Sequence, residues 1–279
     1  MPQWYKIKTQ DDYKVPTRWF SSEKAVANIL FLPALGTKAR YYSGFGKSLA
    51  GSGFNVAVME QRGHGESAVR PSRKLDYGYK TYISDISSVI DWIKAQAPGF
   101  PVFLAGHSLG GHLAIACAGL FPETFAGIVL IACSSPYYKN YSGKWKLRLQ
   151  VGNFMIPILL ALFGYFPGKW VGFGGSEAKT LMRDWRQLAK HNRYHLAGIP
   201  GDIESNIAKY RRPALNIRFE KDALAPQKAV ASINDKLKSA RFTHVVLSEA
   251  DLGCHAGHFE WAKHPACVSQ CITDWVNNI

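Results

Sequence analysis

The segment Val102-Phe103-Leu104-Ala105-Gly106-His107-Ser108-Leu109-Gly110 constrains this chain more than any other. An apolar run leads into a turn with glycine two positions before and two after a serine, and a helical stretch follows from Gly110 to about Leu120. A serine held in a sharp strand-to-helix turn brings the neighbouring backbone so close that side chains two positions either side do not fit. Glycine at 106 and 110 meets that demand. The segment predicts a strand, a strained turn and a helix, the unit from which helix-covered sheets are built.

The same alternation runs through most of the 279 residues. Residues 3–8 and 15–20 predict an opening hairpin, and Asn28 to Leu32 and Phe54 to Met59 read as strands around a helix from about Tyr42 to Ala50. Between Tyr79 and Gln96, Ile83, Ile86, Ile90 and Ile93 fall on one helical face, with Asp85, Asp91 and Lys94 turned away. Ile128 to Ile131 is the next strand. After a long interval come strand Leu215 to Phe219, a helix near Lys228 to Leu237, strand Thr243 to Leu247, and a last helix with Val268, Ile272, Trp275 and Val276 on one face. The fold class expected is α/β: a mostly parallel, doubly wound sheet. Residues 1–133 and 214–279 form its core, and 134–213, rich in Trp and Tyr, interrupt the rhythm as an inserted helical cap. A hydrophobic fraction of 47% gives such a core ample material and excludes disorder.

The turn around Ser108 is a G-x-S-x-G nucleophile elbow in its required strand–turn–helix setting. The helix after Ser108 directs its positive end and free N–H groups to where an oxyanion would develop. A serine hydroxyl needs a base, and the base needs a carboxylate to hold its tautomer. In this fold the order is Ser, acid, His. Asp222, in the loop after the strand ending at Phe219, is the expected acid, with Glu220 as competitor; His258, in Gly257-His258-Phe259, is the expected base, with His255 and His264 as alternatives.

With these residues the chain resembles the α/β-hydrolase fold serine hydrolases, in the branch that includes monoacylglycerol lipases and serine aminopeptidases. Arg62-Gly63-His64-Gly65-Glu66-Ser67 is similar to the family's turn after the fourth strand. The resemblance implies the α/β-hydrolase fold and a catalytic triad of Ser108, Asp222 and His258. One departure concerns the turn after the third strand, where the family carries His-Gly and this chain has Pro33-Ala34-Leu35-Gly36, a turn similar to that of a bacterial branch of predicted hydrolases. Pro33 has no N–H. The carry-over points to the N–H groups of Leu35 and Leu109 as the oxyanion hole, with Ala34 as the lesser candidate.

The implied chemistry is hydrolysis of a carboxylic ester through an acyl-enzyme on Ser108. Peptidase, thioesterase or acyltransferase use of the same triad, or a binding protein on the scaffold, are the alternatives. Serine at the elbow argues against dehalogenase and epoxide hydrolase chemistry, which related proteins perform with an aspartate there. A small-molecule acyl substrate is expected, with Trp145, Phe154, Leu159, Phe163 and Trp170 lining an acyl pocket in the cap.

No cofactor, metal or nucleic-acid partner is expected. Gly46-Lys47-Ser48 lacks the leading glycine of a phosphate loop; His191 and His195 stand one helical turn apart without a third ligand. The net charge is +14, and residues 134–213 carry 13 Lys and Arg against 4 Asp and Glu. A basic rim around apolar residues suits peripheral contact with an anionic membrane. No secretory leader is read in Met1 to Lys8, and the longest apolar run, Phe154 to Phe166, contains Pro157 and Gly164 and is too short to span a bilayer. Cys117, Cys133, Cys254, Cys267 and Cys271 suit free thiols, so the expected setting is the cytoplasm.

Overall fold

Strands β3 (Ala27–Leu32) and β5 (Val102–His107) are buried at every residue, which explains why they read as unbroken apolar runs. Alternate side chains serve opposite faces of the sheet. Leu30, Leu32, Leu104, Ile128 and Leu130 join one core, whereas Ile29, Phe31, Phe103, Val129 and Ile131 join the other. The structure is a computed structural model describing residues 3–279; Met1 and Pro2, where the N-terminal reading begins, lie outside the described residues.

The remaining strands of the main sheet are β1 (Gln3–Lys8), β2 (Lys14–Phe20), β4 (Phe54–Met59) and β6 (Gly127–Ile131). Two very short strands, β7 (Phe166–Pro167) and β8 (Ser176–Glu177), form a separate antiparallel pair. β9 (Pro213–Phe219) and β10 (Arg241–Leu247) complete the main sheet, whose order is β1-β2-β4-β3-β5-β6-β9-β10. β2 runs antiparallel to both β1 and β4, and β4, β3, β5, β6, β9 and β10 are parallel. Helices α1 (Ser43–Gly51) and α10 (Ala266–Asn277) cover one face; α2 (Tyr79–Gln96) and α3 (Leu109–Leu120) cover the other. This is the expected doubly wound α/β sheet. One helical assignment needs correction: Asp85 on α2 is fully buried, held by Nε and Nη2 of Arg62, both at 2.7 Å.

Between β6 and β9 the chain forms α4 (Gly143–Phe163), α5 (Gly168–Val171), α6 (Lys179–His191) and α7 (Ile203–Ala208). Beyond β9 come α8 (Gln227–Asn234) and α9 (Glu249–Leu252). α4 continues through Pro157, whose missing N–H leaves the carbonyl of Asn153 without its helical donor. Arg186 Nε, from α6, donates to that carbonyl at 2.6 Å. The apolar run read from Phe154 is thus part of a 21-residue helix whose length and hydropathy match a bilayer span, correcting the expectation drawn from the run alone. Ile156 and Leu160 seat it on Phe166 and Met182, while Leu147, Val151, Phe154, Ile158 and Leu162 form one solvent-facing stripe.

α6 ends at His191, where Asn192 turns left-handed, so His191 and His195 do not share a helix. All five cysteines are free; Cys117 and Cys133 are buried and the other three half-buried.

His112 on α3 is bonded to the stretch of chain between β6 and β9. Its ring nitrogens lie 2.7 Å from Tyr194 Oη and 3.0 Å from the Ser134 carbonyl. Burial holds its pKa down to about 4, against an ordinary 6.5. A buried neutral imidazole contributes stability above the unfolded value that is lost as pH falls through 6.5 toward 4, a difference of about 3 kcal/mol. Urea unfolding at pH 7 and pH 4.5 should show that loss, and His112→Gln should flatten this part of the profile.

Candidate active site

Ser108 stands between β5 and α3 with φ 52° and ψ −112°, a conformation that costs a non-glycine residue about 1–3 kcal/mol. The neighbouring glycines explain how it is accommodated. A Cβ on Gly106 would meet the Gly110 carbonyl carbon at 2.1 Å, and one on Gly110 would meet the Leu32 oxygen at 2.0 Å. The Ser108 N–H donates to Ile131 O at 2.9 Å, which locks the turn to the end of β6.

Asp222 follows β9 on a tight loop and is buried. Its Oδ1 accepts from the N–H groups of Leu224 at 2.8 Å and Ala225 at 3.0 Å, and its Oδ2 lies 2.7 Å from His258 Nδ1. A carboxylate so placed only accepts, so His258 donates its Nδ1–H to it. The His258 ring packs 4.8 Å, centroid to centroid, from that of His107, the residue preceding Ser108. The turn that carries Ser108 and the loops that carry Asp222 and His258 follow the C-terminal ends of parallel strands, the edge where open α/β sheets carry their sites. Neither Ser108 Oγ nor His258 Nε2 makes a hydrogen bond within 3.5 Å among the described residues. Such bonds often tighten only with substrate.

The alternatives are placed elsewhere. Glu220 and His264 are exposed, and His255 pairs with Glu249 at 2.7 Å on the surface.

At the turn after β3 the two donor candidates separate. The Ala34 N–H donates to Tyr42 Oη at 3.2 Å, so it is occupied. The N–H groups of Leu35 and Leu109 have no acceptor among the described residues. Tyr42 Oη also lies 2.7 Å from His107 Nδ1. Burial, followed by the neighbouring His258 charge, drives His107 well below the usual imidazole range, so it stays neutral. Burial raises the Tyr42 phenol, which therefore keeps its proton. Gln61 Nε2 donates to Pro33 O at 2.8 Å and fixes the other end of the turn. Tyr42, His107 and Gln61 were not among the residues singled out; they read as ordinary members of a helix start, an elbow and a loop.

The five cap residues expected around an acyl pocket are spread out. Leu159 packs on the small cluster of Ile156, Leu160, Phe166 and Met182. Trp145 is half-buried beneath the Arg148 guanidinium, and Phe163 meets Trp170 edge-on at 5.3 Å. Phe154 is 68% exposed and Trp170 is 73% exposed, so these two face solvent instead of an enclosed cavity. Sequence spacing alone does not separate the inner from the outer face of a helix that is apolar on both.

The sheet order, the strained elbow and the carboxylate–imidazole pair define an α/β-hydrolase enzyme. The family model described as serine aminopeptidase, S33, matches residues 23–197, and the chain belongs to that family. It is similar to monoglyceride lipase of Mus musculus, 30% identical over 289 residues, covering 98% of this chain and 89% of that protein. It is also similar to monoglyceride lipase of Homo sapiens, 32% identical over 126 residues, a match spanning 41% of that protein. Among solved structures it resembles the monoacylglycerol lipase of Paleococcus ferrophilus, with a TM-score of 0.63, 16% identity and coverage of 94% of this chain and 97% of that one. That last likeness shows the fold alone.

Gly110→Ala should be among the most destabilising single-methyl changes available, because its Cβ meets backbone that cannot turn aside. A loss of at least about 2 kcal/mol in urea denaturation is expected.

Proposed function

We propose that this protein hydrolyses carboxylic esters through an acyl-enzyme formed on Ser108. The observation that carries the reading is the buried Asp222–His258 bond of 2.7 Å beside a serine in a strained elbow. In this reading His258 Nε2 takes the Ser108 proton as Oγ attacks the ester carbonyl. The imidazolium, stabilised by Asp222, then protonates the leaving alcohol. Water activated by the same nitrogen releases the acid. The N–H groups of Leu35 and Leu109 hold the oxyanion in both halves. His107 packs against His258 and stays neutral, so it places no second positive charge beside the imidazolium.

Similarity to monoglyceride lipases supports an acyl ester over an aminoacyl amide. Residues 134–213 are read as a cap whose outer face meets lipid. The solvent-facing stripe of α4, together with Trp170 and Val171, supports this, and exposed Lys144, Lys146, Arg148 and Lys169 supply the charge for an anionic surface.

A fluorophosphonate probe should label the protein, and Ser108→Ala should abolish labelling. Asp222→Asn should lower kcat by about 10⁴-fold with the fold intact. Turnover of acyl amides with no turnover of acyl esters would contradict the ester reading. In sedimentation with vesicles, binding to phosphatidylglycerol should exceed binding to phosphatidylcholine and should weaken in a Phe154→Asp/Trp170→Asp double variant; equal, negligible binding to both would remove the lipid contact.

A further inference from the structure

The pair β7–β8 and its connecting loop bring two glycines, Gly174 and Gly175, against the turn that carries the Leu35 N–H. Gly36, with φ 73°, lies so close to this loop that a Cβ on it would sit 2.5 Å from both the Gly174 carbonyl carbon and the Gly175 nitrogen. A Cβ on Gly174 would lie 3.0 Å from the Leu35 side chain. The contact at Gly36 is backbone on backbone.

The loop is held by its own Lys169 N–H, which donates to Gly175 O at 3.1 Å, and by a fully buried carboxylate that the hydrolytic steps do not use. Glu177 Oε1 accepts the Gly175 N–H at 2.7 Å, and its Oε2 lies 3.2 Å from Nε2 of buried His64. Burying a carboxylate is costly unless its oxygens are bonded, so both partners stabilise this arrangement and no other. His64 belongs to the loop after β4, where its N–H donates to Gln61 O at 3.2 Å. Gln61 in turn donates to Pro33 O, at the start of the same turn. One loop thus holds the turn at both ends: Gln61 grips Pro33 directly, and His64 reaches Gly36 through Glu177 and the Gly174-Gly175 backbone.

We infer that Glu177 and His64 are positioning residues for the oxyanion turn, clamping Gly174-Gly175 onto Gly36 so that the Leu35 N–H is held in a fixed direction. The inference rests on the assignment of Leu35 as a donor in the proposed ester hydrolysis. A donor misplaced by about 1 Å forfeits up to about 100-fold in rate without loosening the acyl chain's own contacts. The effect therefore belongs in kcat.

The test combines three variants with two readouts. Glu177→Ala removes the acceptor for Gly175; His64→Ala removes the support for Glu177; Glu177→Gln keeps an acceptor for the Gly175 N–H. With an acyl ester, Glu177→Ala and His64→Ala should each lower kcat tenfold or more with KM within twofold, and Glu177→Gln should restore at least a third of the activity. Amide hydrogen exchange in the peptide spanning residues 33–38 should accelerate in both alanine variants and stay near wild type in Glu177→Gln. Unchanged exchange at 33–38, or a folded alanine variant with kcat within twofold of wild type, would overturn the inference. Should Glu177→Ala fail to fold, His64→Ala and Glu177→Gln decide it. Wild type without Ser108-dependent turnover would sink the ester reading separately, since the exchange measurement does not depend on activity.

Discussion

The close approach of Gly110 to the Leu32 carbonyl is the constraint on which the rest depends. It draws the first turn of α3 against the end of β3, and only backbone fits between them. Ser108 is thereby forced into a positive φ, with Oγ lifted off the strand and the first helical N–H left free. The same approach brings the turn after β3 beside the elbow, so the N–H groups of Leu35 and Leu109 come from two strands that are neighbours in the sheet. Parallel pairing of β3, β5, β6, β9 and β10 then delivers the loops after β9 and β10, carrying Asp222 and His258, to the same edge.

Around this edge, burial sorts the polar groups into those that keep a fixed state and those that reach solvent. His107 and Tyr42 are sealed in, neutral, and bonded to each other. Asp222 is sealed in as well, with both oxygens occupied. His258 Nε2 and Ser108 Oγ, by contrast, have no partner within 3.5 Å among the described residues. The two atoms proposed to exchange a proton are left uncommitted, while the carboxylate that orients the imidazole has both oxygens bonded, as preorganised sites require.

Much of this was legible in the sequence because local pattern and global fold agree. The strands buried on both faces read as apolar runs, and the elbow's glycines are spaced by a steric demand that is itself local. Asp222 and His258 could be named because the order of site residues along the chain follows the order of strands. Asp85 could not be placed, since its partner Arg62 lies 23 positions away and a lone acid on an amphipathic helix reads as solvent-facing. The full length of α4 is hidden in the sequence because Pro157 signals a break, and the donor that compensates, Arg186, comes from another helix. The clamp of Glu177 on His64 spans 113 positions and has no periodic signal at all.

The central claim is that Ser108, His258 and the two backbone N–H groups surround one reacting carbon. Diffraction from crystals of the protein inactivated by an alkyl phosphonate tests it most directly. The account predicts a phosphorus bonded to Ser108 Oγ, with its free oxygen about 3 Å from the nitrogens of both Leu35 and Leu109. Phosphorus on another residue, or an oxygen turned to solvent away from both nitrogens, would contradict it.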